Sequence, residues 1–135
     1  MSYVKITHKE DPKQKLLNEL GDISGIHVAN NNVLLAVYQR PTTMMLGGRE
    51  FELTSKTVGE DRYQSKVGLI IKYGPTAFVK NDTWVFLGDE EKFELHDWVA
   101  MPVAVASSML INGVLCRIVT DTVVKMKIPD CDMVY

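Results

Sequence analysis

From Val33 onward the sequence alternates short segments rich in β-branched and aromatic residues with clusters of turn formers, and no other feature constrains the fold as much. The segments are VLLAVYQ, KVGLIIKY, TWVFL, DWVAM, VLCRIV and TVVKMKI. Side chains of this kind lose χ1 freedom in a helix and pack well on a pleated surface, so each segment reads as a strand. A chain punctuated this way folds as a mainly β protein, a barrel or a sandwich. Its best-specified turn is Ile111-Asn112-Gly113-Val114, because Asn-Gly supplies the positive φ that a tight hairpin needs. In TAFVKNDTWVFLGDEEKFEL, Asn81-Asp82 and Gly88-Asp89 are further turn candidates.

The apolar pattern within the segments predicts which faces are buried. In the last one, Val124, Met126 and Ile128 alternate with Lys125 and Lys127, so one face is expected in the core and one in water. VLLAVYQ differs: Val33, Leu35 and Val37 face one way, and Leu34, Ala36 and Tyr38 face the other. Both sides are apolar, and the side bearing Leu34, Ala36 and Tyr38 is expected to be covered by another subunit. Residues 1–30 have a different character and read as an N-terminal extension to a domain spanning 31–135. Within it Asp11 suits an N-cap, Pro12 the first helical position, and Gly21 the stop, with Leu16, Leu17 and Leu20 on one stripe. So short a helix is marginal alone, and its leucine face needs the body of the protein or a neighbouring subunit.

Arg40 to Ser65 form a long segment, too polar and glycine-punctuated for a core element and too long for a simple hairpin. Such loops in small domains commonly carry function. This one sets Met44, Met45 and Leu46 ahead of Gly47-Gly48, and Phe51 and Leu53 after them. Each large apolar side chain buried in a partner's groove contributes on the order of 1.5–3 kcal/mol before ordering costs. The alternative is that they tuck against the protein's own surface.

The known catalytic patterns do not occur. His8, His27 and His96 are far apart and show no metal-ligand spacing, while Glu60-Asp61 and Asp89-Glu90-Glu91 read as solvated acidic turns. Gly47-Gly48 leads into Arg49-Glu50-Phe51, not into a phosphate-binding lysine and hydroxyl, and Ser107-Ser108 has no identifiable base. Cys116 and Cys131 lack a CxxC spacing and read as small buried side chains; Asp130, Cys131 and Asp132 are thin grounds for a cation site. The expectation is a binding or assembly protein without enzymatic activity, cofactor or metal. A net charge of −2 with scattered basic residues argues against nucleic acid as a partner. The longest apolar run, Val99 to Ala106, is broken by Pro102 and far too short to span a bilayer, and MSYVKITHKEDPK lacks a signal-peptide core. No membrane association is expected; the expected place is the cytoplasm, or a particle built there.

From Val33 to Ile128 the order of features resembles the GroES-type co-chaperonins, most closely the longer versions found in bacteriophages. The resemblance rests on VLLAVYQRP, the loop element GGREFELT, KVGLIIKYGP, KFELHDWV, and the closing segments INGVLCRI and TVVKMKI. It implies a GroES-like β-barrel and a homo-oligomeric ring, heptameric in that family. The segment after the first strand would be a mobile loop that binds a chaperonin, with Phe51 and Leu53 as anchors and Gly47 and Gly48 as hinge. The stretch from Phe78 to Phe86 would correspond to the roof over the cavity. Such a protein would act in the host cytoplasm, assisting the folding of large capsid proteins. In this chain Arg49 and Glu50 follow the glycines and Glu52 separates Phe51 from Leu53. That departure keeps open a second reading, a virion structural protein that uses the barrel, loop and N-terminal helix to hold capsid or connector subunits.

Overall fold

The computed structural model describes residues 10–39, 43–46, 49–52, 65–79, 92–102 and 107–134. Their elements are α1 (Pro12–Leu20), β1 (Asn32–Val37), β2 (Thr43–Leu46), β3 (Arg49–Glu52), β4 (Val67–Tyr73), β5 (Trp98–Ala100), β6 (Ser107–Ile111), β7 (Val114–Thr120) and β8 (Met126–Ile128), with a 3-10 turn at Asp121–Val123. A six-stranded sheet runs in the order β6-β7-β1-β4-β5-β8, and β2 and β3 form a separate two-stranded sheet. Every pairing is antiparallel. The mainly β expectation therefore holds. Among the described residues the larger sheet is open, with β6 and β8 at its edges.

β1 lies inside the sheet between β7 and β4, and both of its faces are buried, as its double-sided apolar pattern requires. Val33 and Leu35 pack with Ile70, Val99 and Val119 on one face, under Ala77, Phe78 and Val124. Leu34, Ala36 and Tyr38 pack on the other face with Leu69, Trp98 and Cys116. These three were expected to meet a second subunit, and here the expectation is corrected. They are 2%, 0% and 4% exposed within the single chain. Leu16 and Leu20 of α1 and Cys131 of the C-terminal turn belong to the same cluster. A helix already tethered to the sheet covers an apolar face without the rigid-body entropy that a separate subunit must lose.

Asp11 stands at the N-cap of α1, but its side chain makes no capping hydrogen bond. Pro12 occupies the start, where its missing N–H costs nothing, and the Asp11 carbonyl accepts from the Lys15 amide at 2.9 Å. Gly21, at φ 66°, donates its amide to the Leu17 carbonyl at 3.1 Å. A further carbonyl at this end is satisfied from afar: Asn112 donates its side-chain amide to the Leu20 oxygen at 2.6 Å. Asn112 sits in the β6–β7 turn, where it and Gly113 have φ of 50° and 83°, the paired positive values of a primed two-residue hairpin.

The last strand is shorter than its alternation predicts. Only Met126–Ile128 pair with β5; Val124 and Ile128 enter opposite faces of the sheet, and Met126 is 47% exposed. The cause lies at Asp121, which is buried beside the end of β7. Its carboxylate accepts from the Asn31 side chain and from the Phe78 amide, both at 3.0 Å, while its own amide donates to the Asn31 carbonyl at 2.9 Å. Satisfying a buried carboxylate this way turns the backbone into a 3-10 turn and breaks the alternation before Val124. The segment TWVFL and the turn candidates Asn81-Asp82 and Gly88-Asp89 lie outside the described residues, as do His8, Glu60-Asp61 and Asp89-Glu90-Glu91.

Candidate interaction site

The segment between Arg40 and Ser65 contains a hairpin. β2 and β3 pair in the register Thr43 with Glu52, Met44 with Phe51, Met45 with Glu50 and Leu46 with Arg49. The two apolar groups that flank the glycines in sequence are thus joined in one element, with Met44 directly opposite Phe51. Gly47, Gly48 and Leu53 lie outside the described residues. The sequence reading placed a loop here and missed the strands. The signal was present in Gly-Gly between TMML and REFE, a dipeptide that supports a two-residue hairpin connection.

The hairpin is rooted between two neighbouring strands of the main sheet, β1 before it and β4 after it. The first root is fixed by the Tyr38 amide, which donates to the Val67 carbonyl at 3.0 Å. At the second, Arg117 donates from Nη1 to the Ser65 carbonyl. Arg117 is almost wholly buried in β7, and the loss of water around its guanidinium lowers its pKa from the ordinary value. Nothing within VLCRIV marks this residue as a tether, and only the fold shows that it holds the end of the long segment. Neither β2 nor β3 pairs with a strand of the larger sheet. A lone two-stranded hairpin is marginal in water.

Other chemistry-bearing residues are brought together less productively. His27 and His96 are exposed. Asp130, Cys131 and Asp132 hold their ligand atoms within 4.8 Å of one another. Burial, with help from the charge of Asp132, pushes the Cys131 thiol up to about 12. Tyr38 donates its hydroxyl to Asp132, and its ring meets Trp98 edge-on at 5.5 Å. This group ties the C-terminal turn to the strand preceding the arm. Tyr73, Phe78 and Phe93 form an aromatic row with centroid spacings of 5.7 and 5.1 Å. Among the described residues no helix is long and apolar enough to cross a membrane. No family model matches this sequence, and no curated protein matches it.

Proposed function

We propose that this chain is a non-enzymatic, co-chaperonin-like subunit that uses its β2–β3 arm to bind a chaperonin and so assists the folding of large proteins such as capsid subunits. The observation that carries the reading is the register of the arm, which sets Met44 opposite Phe51 in a hairpin rooted between two core strands. A rooted apolar arm is suited to docking in a hydrophobic groove, and a ring of copies multiplies weak single contacts into useful avidity. The mainly β fold and the place of the arm directly after the first strand support the resemblance to GroES-type proteins, and a GroES-like barrel belongs to this proposal.

A second reading, a virion structural subunit, draws on the same arm. Glu50 and Glu52 stand opposite Met45 and Thr43, and a carboxylate is costly in a dry groove but acceptable against a polar capsid surface. Purified protein mixed with a chaperonin ring, with and without ATP, and examined by native mass spectrometry separates the two. An ATP-dependent complex that is lost in the Met44→Asp, Phe51→Asp double variant supports the first reading. Absence of any complex, with stoichiometric recovery of the chain from purified virions, replaces it with the second.

A further inference from the structure

We infer that residues 130–134 form a strap that opens separately from the sheet and that, through Asp132, holds the root of the β2–β3 arm closed. The inference stands whatever the arm binds. β8 ends at Ile128, and Pro129, which has no amide to donate, follows it. In the order β1-β4-β5-β8 this edge strand stands three places from β1, yet Tyr38, the residue after β1, donates its hydroxyl to Asp132. The chain therefore turns back from the edge across the face that holds Leu69, Trp98 and Tyr38, and Cys131, 2% exposed, packs in the cluster on that face with Val134 against it.

The strap has its own internal order. Asp130 accepts the Asp132 amide on its carboxylate at 3.0 Å and the Met133 amide on its carbonyl at 3.1 Å. Among the described residues none of 130–134 belongs to a strand ladder. A segment outside the ladders opens at a lower free energy than a strand paired on both sides. The latch falls on a residue that also serves the arm. Tyr38 carries the bond to Asp132 on its side chain, and its amide donates to the Val67 carbonyl at 3.0 Å, the bond that fixes the first root of the arm. Its ring meets Trp98 edge-on at 5.5 Å, and Trp98 pairs with Ile128 at the start of the strap. Lifting the strap takes the hydroxyl partner from Tyr38, so strap and root open as one unit. Asp132 is then a positioning residue for the arm, acting through Tyr38.

The two cysteines make this testable on the full chain. Cys131 lies in the strap, whereas Cys116 is 0% exposed in β7, paired on both sides within the sheet. Both thiols are labelled with dithiobis-nitrobenzoate under native conditions across a low urea series, each site is read by mass spectrometry, and site-resolved amide exchange is followed in parallel. Cys131 should label faster than Cys116 and with little dependence on urea, because a local opening exposes little surface, while Cys116 follows the steep dependence of global unfolding. The Tyr38 amide should share the shallow dependence of Cys131, and the Leu35 amide the steep one of Cys116. Asp132→Ala should speed Cys131 labelling and Tyr38 exchange by a common factor of about tenfold or more, the loss of a hydrogen bond to a charged group. Asp132→Asn, which keeps a carbonyl acceptor, should recover most of it. Cys131 labelling that matches Cys116 in rate and urea dependence, a Tyr38 amide that follows the sheet while Cys131 opens, or an Asp132→Ala variant with unchanged Cys131 labelling overturns the inference.

Discussion

Asn112 holds two jobs in one residue, and replacing it separates them. Its φ of 50° is one that L residues other than Asn and Asp adopt at a cost of roughly 1–2 kcal/mol, and glycine adopts freely. Its side chain also donates to the Leu20 carbonyl at 2.6 Å, joining the β6–β7 turn to the end of α1, and a net hydrogen bond of this kind is worth about 0.5–1.5 kcal/mol. Asn112→Gly keeps the turn and loses the bond, so it should cost about 1 kcal/mol. Asn112→Ala loses the bond and strains the turn, for a total of about 2–3 kcal/mol. In a chain of this size each kcal/mol lowers Tm by roughly 3–4 °C, which puts Ala about 5 °C below Gly. Urea and thermal unfolding followed by circular dichroism read the order wild type, Gly, Ala. Equal stability of the Gly and Ala variants would refute the strained-turn argument, and a Gly variant as stable as wild type would refute the link to the helix.

Three further expectations follow from particular contacts. Gly74→Ala would place a Cβ 2.1 Å from the Asn30 carbonyl and 2.8 Å from that of Ala29, both backbone atoms, so it should cost about 3 kcal/mol or more; Gly25→Ala, with nothing within 4 Å, should stay within about 0.5 kcal/mol by the same unfolding assay. Leu20→Ala empties a side chain that is 1% exposed between α1 and the sheet and should cost about 2–5 kcal/mol, whereas an extension that merely hung from the body would lose almost nothing. Burial raises the Cys116 thiol from 9.0 to about 11 and the Cys131 thiol from 9.0 to about 12. Both folded values lie above the unfolded one, so this contribution is complete below about pH 9 and is lost as pH rises through 11 to 12. Stability measured against pH should fall over that window, and Cys131→Ala should flatten the fall; an unchanged slope would show that Cys131 titrates as freely as in the unfolded chain.

The features legible in the sequence were those whose causes lie within a few residues. Pro12 and Gly21 bound a helix because ring closure and the absence of a Cβ act on their own dihedrals. Asn112-Gly113 makes its turn for the same reason, and a strand apolar on alternate and intervening positions has to be buried on both faces. The arm was half legible: its residues stood out as apolar in a polar segment, yet whether they paired depended on a register that neither TMML nor REFE states alone.

What only the tertiary structure decided is which long-range partner each exposed need found. Periodicity shows that Leu34, Ala36 and Tyr38 must be covered, and it takes the packed chain to show that they lie in one cluster with Leu16 and Leu20 of α1 and Cys131 of the C-terminal turn. Likewise Arg117 carries no mark in VLCRIV of its tie to Ser65, fifty-two positions away, nor Asp121 of the bonds to Asn31 and Phe78 that end the strand pattern early. Propensity and period are set by neighbours along the chain, whereas burial and hydrogen-bond satisfaction are settled between residues that only folding brings within reach.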